Sequence, residues 1–108
     1  MRLDHAKARF TQIPYAAFLG IEIAELAHEH AILRLPFNDT HMNSGGPLNG
    51  GATATLMNLA GALAAWTGID LQAEPFLASV DLSVQYLSAA FEEDVMGSAR
   101  VLRRGRDL

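Results

Sequence analysis

The chain predicts an α+β domain in which an antiparallel sheet wraps one long, nearly buried helix, and three observations carry that prediction. Gly45 to Ile69 contains no charged residue and is dominated by small side chains, the composition of a helix packed on most of its sides. Val80, Leu82, Val84 and Tyr86 alternate with Asp81, Ser83 and Gln85, the period of a half-buried strand. Two shorter alternating runs, 21–26 and 31–35, flank a polar turn ahead of the helix, which is a hairpin signature.

Taken in order, residues 1–19 read as a short amphipathic helix and turn, anchored by Phe10, Ile13, Phe18 and Leu19 and broken at Pro14. After Gly20, Ile21, Ile23 and Leu26 alternate with Glu22 and Glu25, and Ala31 to Leu35 forms the second strand beyond the turn at 27–30. Asn, Asp, Ser, Gly and Pro crowd 36–47, which makes it a loop. The helix runs over 52–67, opened by Gly50-Gly51 and capped by Gly68. A loop around Pro75 leads to the strand at 80–86. An acidic turn at 92–94 leads to a further strand at 95–104, and Gly105 begins a bend.

With 108 residues the chain is one domain. Net charge −4 gives no general attraction to nucleic acid. The absence of cysteine excludes disulfides, thiolate nucleophiles and cysteine metal sites. The N-terminus has mixed charges and no hydrophobic signal core, so a cytoplasmic protein is expected. The uncharged stretch is long enough to span a bilayer, but its Ala, Gly, Thr and Asn content and Pro47 argue against membrane insertion. His5, His28, His30 and His41 offer no ligand set with metal-site spacing, so neither metal nor cofactor is expected.

The chemistry concentrates where the glycines meet the helix. Gly50 and Gly51 lack a Cβ, so a ligand can approach their backbone closely. The first N–H groups of a helix have no partner within it, and the positive end of the helix dipole lies behind them. Such an entrance suits a phosphate or the oxygen of a polarised carbonyl. Its bland counterpart is a tight turn packed under the helix. Asn49 and Asn58 bracket the helix start; they are equally read as a loop former and a satisfied buried amide. Arg100, Arg103, Arg104 and Arg106 form the one basic concentration, which is either a solvated strand face or a phosphate contact.

These residues together resemble the hotdog fold, and specifically acyl-CoA thioesterases of the 4-hydroxybenzoyl-CoA thioesterase superfamily in its phenylacetate-pathway branch. The resemblance covers roughly residues 10–108. It rests on Leu19-Gly20-Ile21, on Asn43 with Asn49-Gly50-Gly51 and Thr55-Leu56-Met57-Asn58, on 79–84 with Tyr86, and on Val101 to Arg106. It implies paired subunits, as a homodimer or homotetramer, with active sites at the subunit interface. It implies Gly50 N–H as oxyanion donor to the thioester carbonyl, Asn43 near the reacting water, and Ser79 as a hydroxyl from the partner subunit. Asn49, Gly51, Arg103, Arg104, Gly105 and Arg106 are the implied contacts to acyl-CoA.

Two departures stand out. Where the family commonly carries histidine and a catalytic carboxylate, this chain has Asn49 and Asn58. An amide cannot accept a proton from water, and losing a general base costs about 10²–10⁴ in rate. Three explanations stay open: an acyl-CoA binder or very slow hydrolase, a branch in which another group such as Asp81 or a water held by Asn43 and Asn58 serves, or an introduced substitution. The second departure is length. The family continues with two further strands, so a C-terminally truncated product, or a partner supplying the missing strands, is expected. The expected function is hydrolysis of a small or medium acyl-CoA thioester. A non-catalytic acyl-CoA binding module is the first alternative and a structural oligomerisation domain the second.

Overall fold

The structure is a computed structural model that describes residues 2–42, 48–68 and 94–102. The first helix, α1 (Arg2–Thr11), buries Ala6 and Phe10 one turn apart and ends where Thr11 Oγ1 donates to the Ala8 carbonyl at 2.8 Å. Pro14 does not lead into a turn. It opens a second helix, α2 (Pro14–Leu19). Proline has no N–H to lose at a first helical position, and its φ is already helical. Ile13 before it takes the extended ψ of 110° that a pre-proline residue favours. α2 stops at Gly20, whose φ of 75° is left-handed and suits glycine.

β1 (Glu22–Ala27) and β2 (His30–Leu35) form the expected antiparallel hairpin. The spacing Ile21, Ile23, Leu26 is out of step with strict alternation because the register shifts between Ile23 and Glu25. One extra residue in β1 restores Leu26 to the inner face. In β2, Ala31, Leu33 and Leu35 point inward and are fully or almost fully buried. β3 (Val95–Arg100) pairs antiparallel with β2, setting Leu33 opposite Gly97, and the described strands run β1-β2-β3. The expected strand at 80–86, and the end of the expected strand 95–104, lie outside the described residues. On the outer face, Arg34 pairs with Glu22 and, at 3.4 Å, with Asp94. The Glu22 hydrogen bond and charge, followed by Asp94, hold the Arg34 guanidinium above its ordinary pKa.

The long helix α3 (Gly50–Trp66) lies across β2 and β3 and also touches α1. It begins two residues earlier than the glycine pair suggests, because Asn49 caps it and draws both glycines into the first turn. Ala52, Leu56, Ala60, Leu63 and Ala64 face the sheet and are buried. Gly97 lets them in: a Cβ there would sit 2.9 Å from Leu56 Cγ. Burial is one-sided among the described residues. Met57 and Gly61 are exposed, on the flank away from α1, β2 and β3. At the far end Thr67, rather than Gly68, takes the C-cap position. Its fully buried hydroxyl donates to the Ala64 carbonyl at 2.7 Å and accepts the Glu29 N–H at 2.6 Å. That contact pins the hairpin turn, where Glu29 has a left-handed φ of 59°. Val101 N–H adds a bond to the Glu29 carbonyl at 2.9 Å.

Candidate functional site

The entrance of α3 is built from both ends of the preceding loop. Met42 and Leu48 form an antiparallel bridge, and the Asn49 N–H donates to the His41 carbonyl at 2.7 Å. Asn49 is thereby fixed with φ −60° and ψ 129°, the extended geometry of an N-cap. Its Oδ1 accepts from Gly51 N–H at 2.7 Å and from Ala52 N–H at 3.2 Å. Position 51 must be small for this to work, because a Cβ there would lie 2.9 Å from the Asn49 Oδ1. The glycine pair and the asparagine are therefore one device: the side chain satisfies the second and third helical amides, and Gly50 contributes the first. The charged residues absent from this turn leave the helix dipole as its main field.

Beneath the entrance sits His41, at 5 % exposure, with no hydrogen-bond partner for its Nδ1 among the described residues. No group of three His, Cys, Asp or Glu capable of holding a metal occurs among the described residues.

Asn58 lies eight positions beyond Gly50 on the same helix, about 12 Å along its axis and about 80° around it. It borders an open cleft of about 350 Å³ between the α1–α2 corner and α3, lined by Ile13, Tyr15, Ala54, Thr55, Asn58 and Leu59. Thr55 stands between entrance and cleft, and its hydroxyl donates to the Gly51 carbonyl at 2.9 Å. Gly51, Thr55 and Asn58 follow i, i+4, i+7 spacing and so share one stripe of the helix.

Of the site residues expected from the sequence, the structure brings Asn49, Gly50 and Gly51 together at the entrance. It sets Asn58 two turns away on the cleft. Asn43, Ser79, Arg103, Arg104, Gly105 and Arg106 lie outside the described residues. Asn49 presents its side-chain oxygen to the helix rather than outward, so its observed part in the entrance is structural support. Ile13, Tyr15 and Thr55 were not among the expected site residues. The helical spacing of Thr55 from Gly51 and Asn58 was the signal for Thr55. Nothing in the sequence brought the α1–α2 corner to the same place.

The family model described as Thioesterase superfamily matches residues 45–108. A candidate esterase of Halobacterium salinarum is 33% identical over 92 residues, covering 82% of this chain and 60% of that protein. The chain thus spans about three-fifths of the length of this curated relative. A solved thioesterase family protein from Silicibacter pomeroyi superposes with TM-score 0.91 at 24% identity, over 98% of this chain and 76% of its own. Zebra fish thioesterase superfamily member 2 superposes with TM-score 0.78 at 27% identity, over 98% and 79%. The PaaI protein of the E. coli phenylacetic acid degradation operon does so with TM-score 0.80 at 21% identity, over 95% and 72%. The sheet-on-helix architecture is accordingly the hotdog fold.

Proposed function

The chain belongs to the thioesterase superfamily, and from that premise we propose that it hydrolyses the thioester of a small or medium acyl-CoA at the entrance of α3. The observation that most supports this reading is the capped glycine entrance, where Asn49 orders the first turn so that Gly50 N–H opens the helix at its positive end. A carbonyl oxygen accepting from Gly50 N–H is polarised there. Water adds to the carbonyl carbon, and the resulting oxyanion is stabilised by the same donor. Collapse breaks the C–S bond, the water's oxygen stays with the acyl group as a carboxylic acid, and the sulfur leaves as the thiol after taking a proton.

Asn58 enters through geometry. One carbonyl and its attacking water lie within a few ångströms of each other, whereas Gly50 and Asn58 of one chain are about 12 Å apart along the helix. A reacting centre that uses both draws Gly50 from one copy and Asn58 from another, which fits a homodimer or homotetramer with shared sites. In this reading Asn58 orients the water by hydrogen bonding, as Asn43 and Ser79 also do. Its amide does not take the water's proton, so turnover is low. Arg103, Arg104, Gly105 and Arg106 are assigned to the CoA phosphates, and Gly51 to close backbone approach. The finer placement, in the phenylacetate-pathway branch and in the cytoplasm, belongs to the same reading. The branch draws on the likeness to the PaaI protein, which at 21% identity speaks for the fold, and the location on an N-terminus without a hydrophobic signal core. No helix among the described residues is long and apolar enough to cross a membrane.

Thiol release from a panel of acyl-CoAs tests the proposal. The expected result is slow release by the wild type, and a rise of about 10²-fold or more in Asn58→Asp, which restores a carboxylate base. Absence of release from both proteins overturns it. The amide at 58 is the specific observation behind the second reading, a non-catalytic acyl-CoA binding module. That reading predicts no release, together with a melting temperature that rises on adding acyl-CoA.

A further inference from the structure

The cleft beside Asn58 is not accounted for by carbonyl polarisation, and its lining says what it can take. Ile13, Tyr15, Ala54 and Leu59 supply apolar surface, Thr55 and Asn58 supply neutral hydrogen-bonding groups, and among the described residues no charged side chain lines it. That lining offers no cation to meet a phosphate or a carboxylate. It suits an uncharged hydrocarbon tail that ends in a carbonyl. At about 350 Å³ the cleft is near the lower limit of small-molecule pockets, which run from about 300 to 1,000 Å³.

One wall differs from the rest. Ala54, Thr55, Asn58 and Leu59 belong to α3, which the sheet fixes in place, whereas Tyr15 is carried by α2 on the other side of the cleft. Its position is set by Pro14 and the extended Ile13 before it. Its ring stacks on Phe18 at 6.2 Å between centroids, with an interplanar angle of 13°. Both rings are open, Tyr15 at 53% and Phe18 at 79% exposure. An apolar ring held in a defined orientation at the edge of an apolar cleft is a boundary against which a tail can end.

We infer that Tyr15 is a specificity-determining residue, whose ring limits the length of the acyl tail lying in the cleft beside Asn58. The inference rests on the thioester reading above for the identity of the ligand. Until the tail meets Tyr15, each added methylene that is buried strengthens binding by about fourfold, the equivalent of about 0.8 kcal/mol. Beyond that length further methylenes add nothing.

The test measures Kd for a series of S-alkyl-CoA thioethers, from ethyl to dodecyl, by calorimetry, with thiol release from the matching acyl-CoAs followed in parallel. Wild type is expected to gain about fourfold per methylene up to a break. Tyr15→Ala moves the break to longer chains, Tyr15→Trp moves it to shorter ones, and Tyr15→Phe leaves it in place. Phe37→Ala removes another exposed aromatic, 42% exposed and outside the cleft, and also leaves it in place. A break that stays put in both Tyr15→Ala and Tyr15→Trp, or a series with no chain-length dependence, overturns the inference. Moving breaks without thiol release uphold the Tyr15 assignment while the hydrolase reading fails. Thiol release with an immobile break does the reverse.

Discussion

The two ends of α3 are built on opposite principles. Its C-terminal half is anchored. Ala60, Leu63, Ala64 and Trp66 are buried, Thr67 ties the helix to the hairpin turn through Glu29, and the Arg9 guanidinium of α1 stacks over Trp66 at 5.3 Å. Its N-terminal half is small, capped by one side chain, and borders a cleft. The same helix therefore has an anchored end and a presenting end. Because Leu56 and the buried residues of the far end hold the helix on the sheet, the first turn can carry glycines and exposed backbone amides.

Substitutions can break or sharpen this contrast. The largest stability loss is expected at the anchored end. Leu63→Ala removes a fully buried side chain between helix and sheet and costs about 2–5 kcal/mol, read by denaturant unfolding. A loss below about 1 kcal/mol would mean that this end is not the anchor. At the presenting end, Asn49→Ala removes the cap for two amides and costs about 1 kcal/mol, a fall in melting temperature of about 4–8 °C. Its thiol-release rate should fall as well, because the turn that carries Gly50 loses its order. The Asn58→Asp gain separates the two roles along the helix, since it alters chemistry at a half-buried position without removing core packing.

Much of this architecture could be read from the residues. The uncharged run with its glycine pair marked α3, and the alternation at 31–35 marked β2, because each expresses one dominant period against a contrasting flank. Three features were hidden by local chemistry with more than one outcome. Pro14 breaks the pattern of the first helix, but a proline serves equally well as the first residue of a new one. Leu26 falls one position out of the alternation set by Ile21 and Ile23, and only strand pairing reveals the extra residue. Asn49 looked like a ligand contact, and its capping bonds depend on where the helix starts. At the candidate site, the entrance was legible because glycine before a helix has few physical meanings. The contribution of Ile13 and Tyr15 was not, since it arises from how α2 packs against α3 and not from any local pattern.

The central claim is that the Gly50 amide hydrogen grips the thioester oxygen, and Gly50→Pro addresses it directly. Proline is well tolerated at a first helical position, and the φ of −60° and ψ of 129° at Asn49 suit a residue preceding proline. The substitution therefore deletes the Gly50 N–H at a position where the helical backbone accepts proline. Measured by thiol release in the Asn58→Asp background, with melting temperature as the check on folding, the account predicts a loss of about 10²–10³ in kcat with the fold retained. A folded Gly50→Pro variant that releases thiol at the unaltered rate would contradict it.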